Sequence, residues 1–137
     1  MLPVGYELIA ETPSVDDYRR LRVVAGLSPK SQAAAERGLP NTWFAVVVRK
    51  GGEAVGMGRI IGDGGLFFQI VDIAVEPGHQ GKGLGKAVVA ALVEKLRTDG
   101  RGAYVSLIAD GEANRLYAQY SFEPTTPKSI GMAMVIP

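Results

Sequence analysis

Apolar residues follow two rhythms along this chain, and the change between them falls at Pro77. Before it, short β-branched and aromatic runs dominate: Tyr6 to Ala10, Trp43 to Val48, Ala54 to Ile61 and Leu66 to Val75. Runs of this kind, bounded by glycine, proline or aspartate, predict strands. Gly51-Gly52 predicts a hairpin between the second and third runs, and Asp63-Gly64-Gly65 predicts the next turn. Tyr18, Leu21 and Val24 or Ala25 recur at helical spacing behind Ser14, which predicts a capped helix over about 15–25, stopped by Gly26. A second short helix is expected over about 30–37, between Ser28-Pro29 and Gly38.

After Pro77 the period becomes helical. Leu84, Val88, Leu92 and Leu96 recur every four residues with Ala91 on the same face, and Asp99-Gly100 ends the helix. Tyr104 to Ile108 predicts a strand, and Asp110 is a candidate cap for a helix over about 112–120. Phe122 to Ile136 reads as two strands around the turn Thr126-Pro127-Lys128-Ser129. The order β-α-α-β-β-β-α-β-α-β-β predicts an α/β (α+β) fold: a mixed sheet with helices on its faces.

Composition narrows the chemistry. A chain of 137 residues predicts one domain, 1–137. Its 47% hydrophobic content suits a single core. The absence of cysteine excludes disulfides, zinc–thiolate sites, iron–sulfur clusters and a cysteine nucleophile. The lone histidine, His79, leaves no His-paired metal motif, so no metal is expected. Net charge is +1, from 15 basic and 14 acidic residues without a basic block, and a nucleic-acid partner is not expected. No run reaches the roughly 20 apolar residues of a membrane span, and the first residues lack a signal-peptide pattern; the expected location is cytoplasmic.

Eleven of the 18 glycines lie between Gly51 and Gly85. Four of them, Gly78, Gly81, Gly83 and Gly85, sit in the segment that joins the longest strand to the longest helix. Glycines there expose backbone N–H groups where the positive end of a helix dipole lies, a cradle for phosphate or pyrophosphate. The spacing fits neither standard nucleotide loop. Ala87 follows Gly85-Lys86 where a P-loop needs Ser or Thr, and Lys86 takes the place of the third glycine of a dinucleotide fingerprint.

Gln80-Gly81-Lys82-Gly83-Leu84-Gly85 instead resembles the Gln/Arg-x-x-Gly-x-Gly/Ala pyrophosphate loop of the GNAT superfamily of acyl-CoA-dependent N-acetyltransferases. Val71 to Pro77 is similar to the strand leading into that loop. Asn114 to Pro124 resembles the family's Asn…Leu-Tyr-x-x-x-Gly-Phe-x-Pro signature, with Ser121 in place of the glycine. The resemblance implies a mostly antiparallel twisted sheet with helices on both faces and a splayed parallel strand pair, holding acetyl-CoA between strands that end near Val75 and Ile108.

It also implies roles. Backbone N–H groups of Gln80, Gly81, Lys82, Gly83, Leu84 and Gly85 would hold the pyrophosphate, with Gln80, Lys82 and Lys86 as side-chain contacts or, for the two lysines, simply a solvated face. Ile73 would offer an N–H to the thioester carbonyl, and Ala74 and Val75 would pair with the pantetheine amides. Tyr117 matches the tyrosine that protonates the departing thiolate, its alternative being a packing role, while Asn114 matches a cofactor-contacting residue or a plain helix-start polar residue. Many relatives carry a glutamate eleven residues before the Gln/Arg of the loop; here that position is Gln69, which is no base. Asp72, on the same strand, is the substitute candidate, with Glu76 and His79 flanking the loop, or a water chain to solvent, as the alternatives. By strand alternation it faces away from Gln69 and Ile73 and with Glu76, unless a bulge intervenes. His79, in a turn, reads as exposed.

Without cysteine, transfer through an acetyl-cysteine is excluded, which leaves direct attack by an amine in a ternary complex. The implied partners are acetyl-CoA and an amine acceptor, with a homodimer possible in such a family. The acceptor segments, about Leu21 to Pro40 and the last strands, do not name the amine, although the short chain favours a small molecule. A catalytically weak acyl-CoA-binding or sensing module is the alternative.

Overall fold

A computed structural model describes residues 2–137. The chain forms two compact units, one reaching to Leu107 and one from Ile108 to Pro137.

In the first unit, strands Tyr6–Ile9 (β1), Phe44–Lys50 (β2), Glu53–Gly62 (β3), Phe67–Val75 (β4) and Tyr104–Ser106 (β5) form one sheet in the order β1-β2-β3-β4-β5. Neighbours from β1 to β4 are antiparallel, and β4 and β5 are parallel. Helices Val15–Val24 (α1) and Gln32–Gly38 (α2) precede the hairpin, and Leu84–Asp99 (α3) links β4 to β5. Ser14 caps α1 by accepting the Asp17 N–H at 3.1 Å. Ser31 does the same for Ala34 at 3.1 Å, which sets the start of α2 two residues later than the sequence predicts.

The two sheet faces are covered by different helices. Tyr18 and Leu21 of α1 and Ala35 of α2 pack with Val47, Met57 and Ala74 of the sheet. On the other face lies α3, whose Leu84, Val88, Val89, Leu92, Val93 and Leu96 are all buried. Being covered on both faces explains why Ala45 to Val48 is an unbroken apolar run. Each such buried Val or Leu contributes about 1.5–3 kcal/mol.

The second unit holds one short helix, Asn114–Ala118 (α4). The two strands expected in Phe122 to Ile136 are absent: only the turn forms, with the Ser129 N–H donating to the Thr125 carbonyl at 2.9 Å. Alternation at Ile130, Met132, Met134 and Ile136 suits a strand, but a strand needs a hydrogen-bonded neighbour and none pairs with these residues, which stay exposed.

Candidate functional site

The site is built around β4. Its parallel ladder with β5 joins Phe67–Gln69 to Tyr104–Ser106 and stops there, while on its other side β4 pairs with β3 as far as Val75. From Ile70 to Val75 the edge facing β5 therefore has no strand partner among the described residues. An open edge offers backbone donors and acceptors to an extended, amide-bearing ligand. Ile73, Ala74 and Val75 all lie on this stretch.

A bulge interrupts the other side. Arg59 pairs with Val71 and Met57 with Ala74, so Asp72 and Ile73 together oppose Gly58. Asp72 takes up the extra residue with φ +61°, in the left-handed region. Simple alternation is thereby corrected. Gln69 pairs with Ile61 and so shares the face of Arg59, and the bulge turns Asp72 to that same face, towards α1. Ile73 points the other way, under α3. Gly58, which the sequence reading missed, makes this possible: a Cβ there would lie 2.5 Å from Val88 Cγ1 and 2.7 Å from Ile73 Cδ1. An isolated glycine within a strand run was the available signal.

Asp72 is not a free carboxylate. Its Oδ1 accepts from Arg22 Nη1 at 2.5 Å and Tyr18 Oη at 3.0 Å, and its Oδ2 accepts from Arg59 Nη1 at 2.6 Å. Its side chain is only 5% exposed, with both guanidiniums nearly as deep. With both oxygens engaged by cations, Asp72 serves as a structural anchor of the bulge, and the candidate base loses its support. Burial, and next the Asp72 charge, push the Tyr18 phenol above its ordinary value. Glu76 is engaged too, with Arg20 at 2.8 Å and His79 at 3.5 Å. His79 is half-buried, not exposed: its Nδ1 lies 2.7 Å from Tyr6 Oη.

Beyond Val75 the loop runs through a short turn, Pro77–His79, to the head of α3. Gly81 and Gly83 have φ of +77° and +81°, and a Cβ at either would meet nothing within 4 Å. Backbone conformation, not crowding, demands glycine there. Gly85 has ordinary φ, and its nearest neighbour would be Val75 Cγ2 at 3.9 Å. The N-cap of α3 is Gly83, so no N-cap side chain bonds the helix's first N–H groups. Those uncapped donors fit an anionic diphosphate. Leu84 is buried and contributes only backbone; Lys82 and Lys86 are exposed. The Gln80 amide donates to the Val75 carbonyl at 3.0 Å, bracing the loop against the strand end.

Within the second unit, Tyr117 is buried and meets Phe122 edge-on at 6.1 Å between ring centroids. Burial, then the Asp110 charge, raise its phenol above the ordinary value. Such a group stays protonated throughout the neutral range. Asn114 is exposed at the first position of α4. Ser121 has φ +72°, and the Phe122 N–H reaches back to the Tyr117 carbonyl at 3.3 Å. That is the left-handed helix end at which glycine is favoured, so the serine departs from the motif at a position with a conformational demand.

An open parallel wedge, a bulged strand and a glycine loop heading a helix thus follow one another along β4 and the segment after it. The profile of the Acetyltransferase (GNAT) family matches residues 10–122, and the chain belongs to that family. A structure from methicillin-resistant Staphylococcus aureus, described as a protein of unknown function and probable acetyltransferase, is 42% identical; the match covers 96% of this chain and 99% of that one, with a TM-score of 0.90. A GNAT family acetyltransferase from Streptococcus pneumoniae, at 19% identity and a TM-score of 0.78 over 96% of this chain and 98% of its own, shares the fold. Histone acetyltransferase TAP1 of Glycine max is 36% identical over 69 residues, 50% of this chain and 29% of that protein. The chain thus spans under a third of the length of that curated relative.

Proposed function

We propose that this acetyltransferase moves an acetyl group from acetyl-CoA to a primary amine, by direct attack in a ternary complex, on a small-molecule acceptor. The observation that carries the reading is the unpaired edge of β4 leading directly into the uncapped glycine loop of α3. Acetyl-CoA, when bound, supplies an acyl group activated as a thioester. The loop N–H groups from Gln80 to Gly85 hold its pyrophosphate, and Ala74 and Val75 align its pantetheine arm. The Ile73 N–H stabilises negative charge on the carbonyl oxygen. Tyr117 gives its proton to the departing sulfur and regains one from water. The amine nitrogen attacks the carbonyl carbon as the carbon–sulfur bond breaks. Because Asp72 and Glu76 are both engaged, the amine proton passes to solvent. Holding both reactants supplies much of the rate.

The sensing-module reading has one observation in its favour, that neither acidic residue at the end of β4 is free to act as a base. A panel of amines with acetyl-CoA, followed by thiol release and product mass, separates the two. Amine-dependent release supports transfer, and tight CoA binding with no turnover supports sensing. Tyr117→Phe is expected to lower kcat at least about tenfold, roughly 1.4 kcal/mol of barrier, with acetyl-CoA binding little changed. An unchanged kcat removes Tyr117 from the acid role.

A further inference from the structure

Tyr18, Lys30, Ala34, Ala35, Leu39 and Arg59 line a cavity of about 190 Å³ on the α1–α2 side of the sheet. No acidic residue lines it. Arg59 is only 7% exposed. Its Nε donates to Thr42 Oγ1 at 2.9 Å and its Nη1 to Asp72 Oδ2 at 2.6 Å, whereas Nη2 makes no hydrogen bond among the described residues and the guanidinium lies over the Tyr18 ring, 5.6 Å from its centroid. Among the described residues no side-chain nitrogen is both fully buried and unbonded, so Nη2 keeps some access to solvent, and Arg59 lines the cavity.

Charge does not balance here. The single carboxylate of Asp72 serves two guanidiniums. Arg22 is satisfied further by the carbonyl and hydroxyl of Ser28, at 2.7 and 3.0 Å. Arg59 is left with an N–H corner that makes no hydrogen bond among the described residues, and Lys30, without an ion pair among the described residues, adds a second cation. Two cationic donors at one cavity favour an anion that can accept from both.

We infer that the acceptor amine carries an anionic oxyacid group, a carboxylate or a phosphate, which seats in this cavity against Arg59 Nη2 and Lys30 Nζ. The inference rests on the acetyl-transfer reading. The Arg59–Asp72 ion pair links a residue that lines the cavity to the bulge of β4, beside Ile73.

Matched acceptors test it: an amino acid against its amide, and an amino-sugar phosphate against the amino sugar, each with acetyl-CoA. The anionic member of at least one pair is expected to have a kcat/KM at least about tenfold higher, and the responding pair tells carboxylate from phosphate. Lys30→Ala, on the exposed rim, and Arg59→Met, once circular dichroism confirms its fold, should each shrink that ratio several-fold through KM. Should Arg59→Met not fold, Lys30→Ala alone carries the test. Equal turnover within both pairs overturns the proposal, as does a ratio unchanged in Lys30→Ala. Calorimetry with inorganic phosphate and with succinate, without acetyl-CoA, separates the two levels. If no amine releases thiol, anion binding lost in Lys30→Ala sustains the cavity while the transfer reading fails; no binding sinks both.

Discussion

On the α3 side of the β3–β4 pair, Gly58 lies beneath Val88, Leu92 and Ile73, with no polar side chain among them. One residue further along β3, on the α1 side, Arg59 reaches Asp72 between Arg22 and Tyr18. The same bulge thus separates a close-packed apolar layer from a buried ionic cluster. The apolar layer is held by shape and tolerates gradual loss. The ionic cluster is held by pairing, so removing the central member leaves two desolvated cations without a counter-charge.

Substitutions can break that contrast. Asp72→Ala should have the largest effect, a loss of about 3–5 kcal/mol in chemical denaturation, because it strands both guanidiniums. A loss near 1 kcal/mol would mean the cluster is far better hydrated than its burial indicates. Gly58→Ala should cost about 1–3 kcal/mol by overpacking. Adding Val88→Ala should return part of that loss, since Val88 Cγ1 is the nearest obstacle at 2.5 Å. Strict additivity in this double-mutant cycle would show that α3 yields elsewhere. Tyr18→Phe should cost the least, about 1 kcal/mol, for one hydrogen bond to Asp72.

Tyr18 also gives the contrast a pH signature. Its folded pKa is raised above the unfolded value of about 10, so the phenol's contribution is fully present below pH 10. It fades as pH rises from there through the raised value. Tyr18→Phe should accordingly flatten part of the alkaline stability loss, read as denaturation midpoints between neutral pH and pH 11; an unchanged slope would place the titration elsewhere.

The legible parts of the sequence were local. The four-residue period of α3, the Gly51-Gly52 hairpin and the order of the glycines in the loop are all decided within one element or one turn. The loop and the Asn114 to Pro124 segment together pointed to the family, and the profile match over residues 10–122 agrees. The tail misled because Ile130 to Ile136 alternates like a strand, and alternation does not supply the neighbour that a strand must bond. His79 misled for a similar reason: its partner Tyr6 is 73 residues away. Asp72 was legible as an acidic residue on the long strand, but its partners Arg22 and Arg59 lie 50 and 13 residues off, and its facing depends on the bulge.

By itself the sequence determined most of the helices and strands from Tyr6 to Ser106, the glycine loop between the long strand and the long helix, and that no cysteine thiol is available. Those follow from periodicity, the missing Cβ of glycine and composition, all properties of neighbouring residues. Only the tertiary structure decided that β4 parts from β5 after Gln69, that Asp72 turns towards α1, and that Arg59 pairs with Asp72 while lining a cavity. Each depends on register between strands and on charges brought together from distant segments, where packing and desolvation, not local propensity, set the outcome.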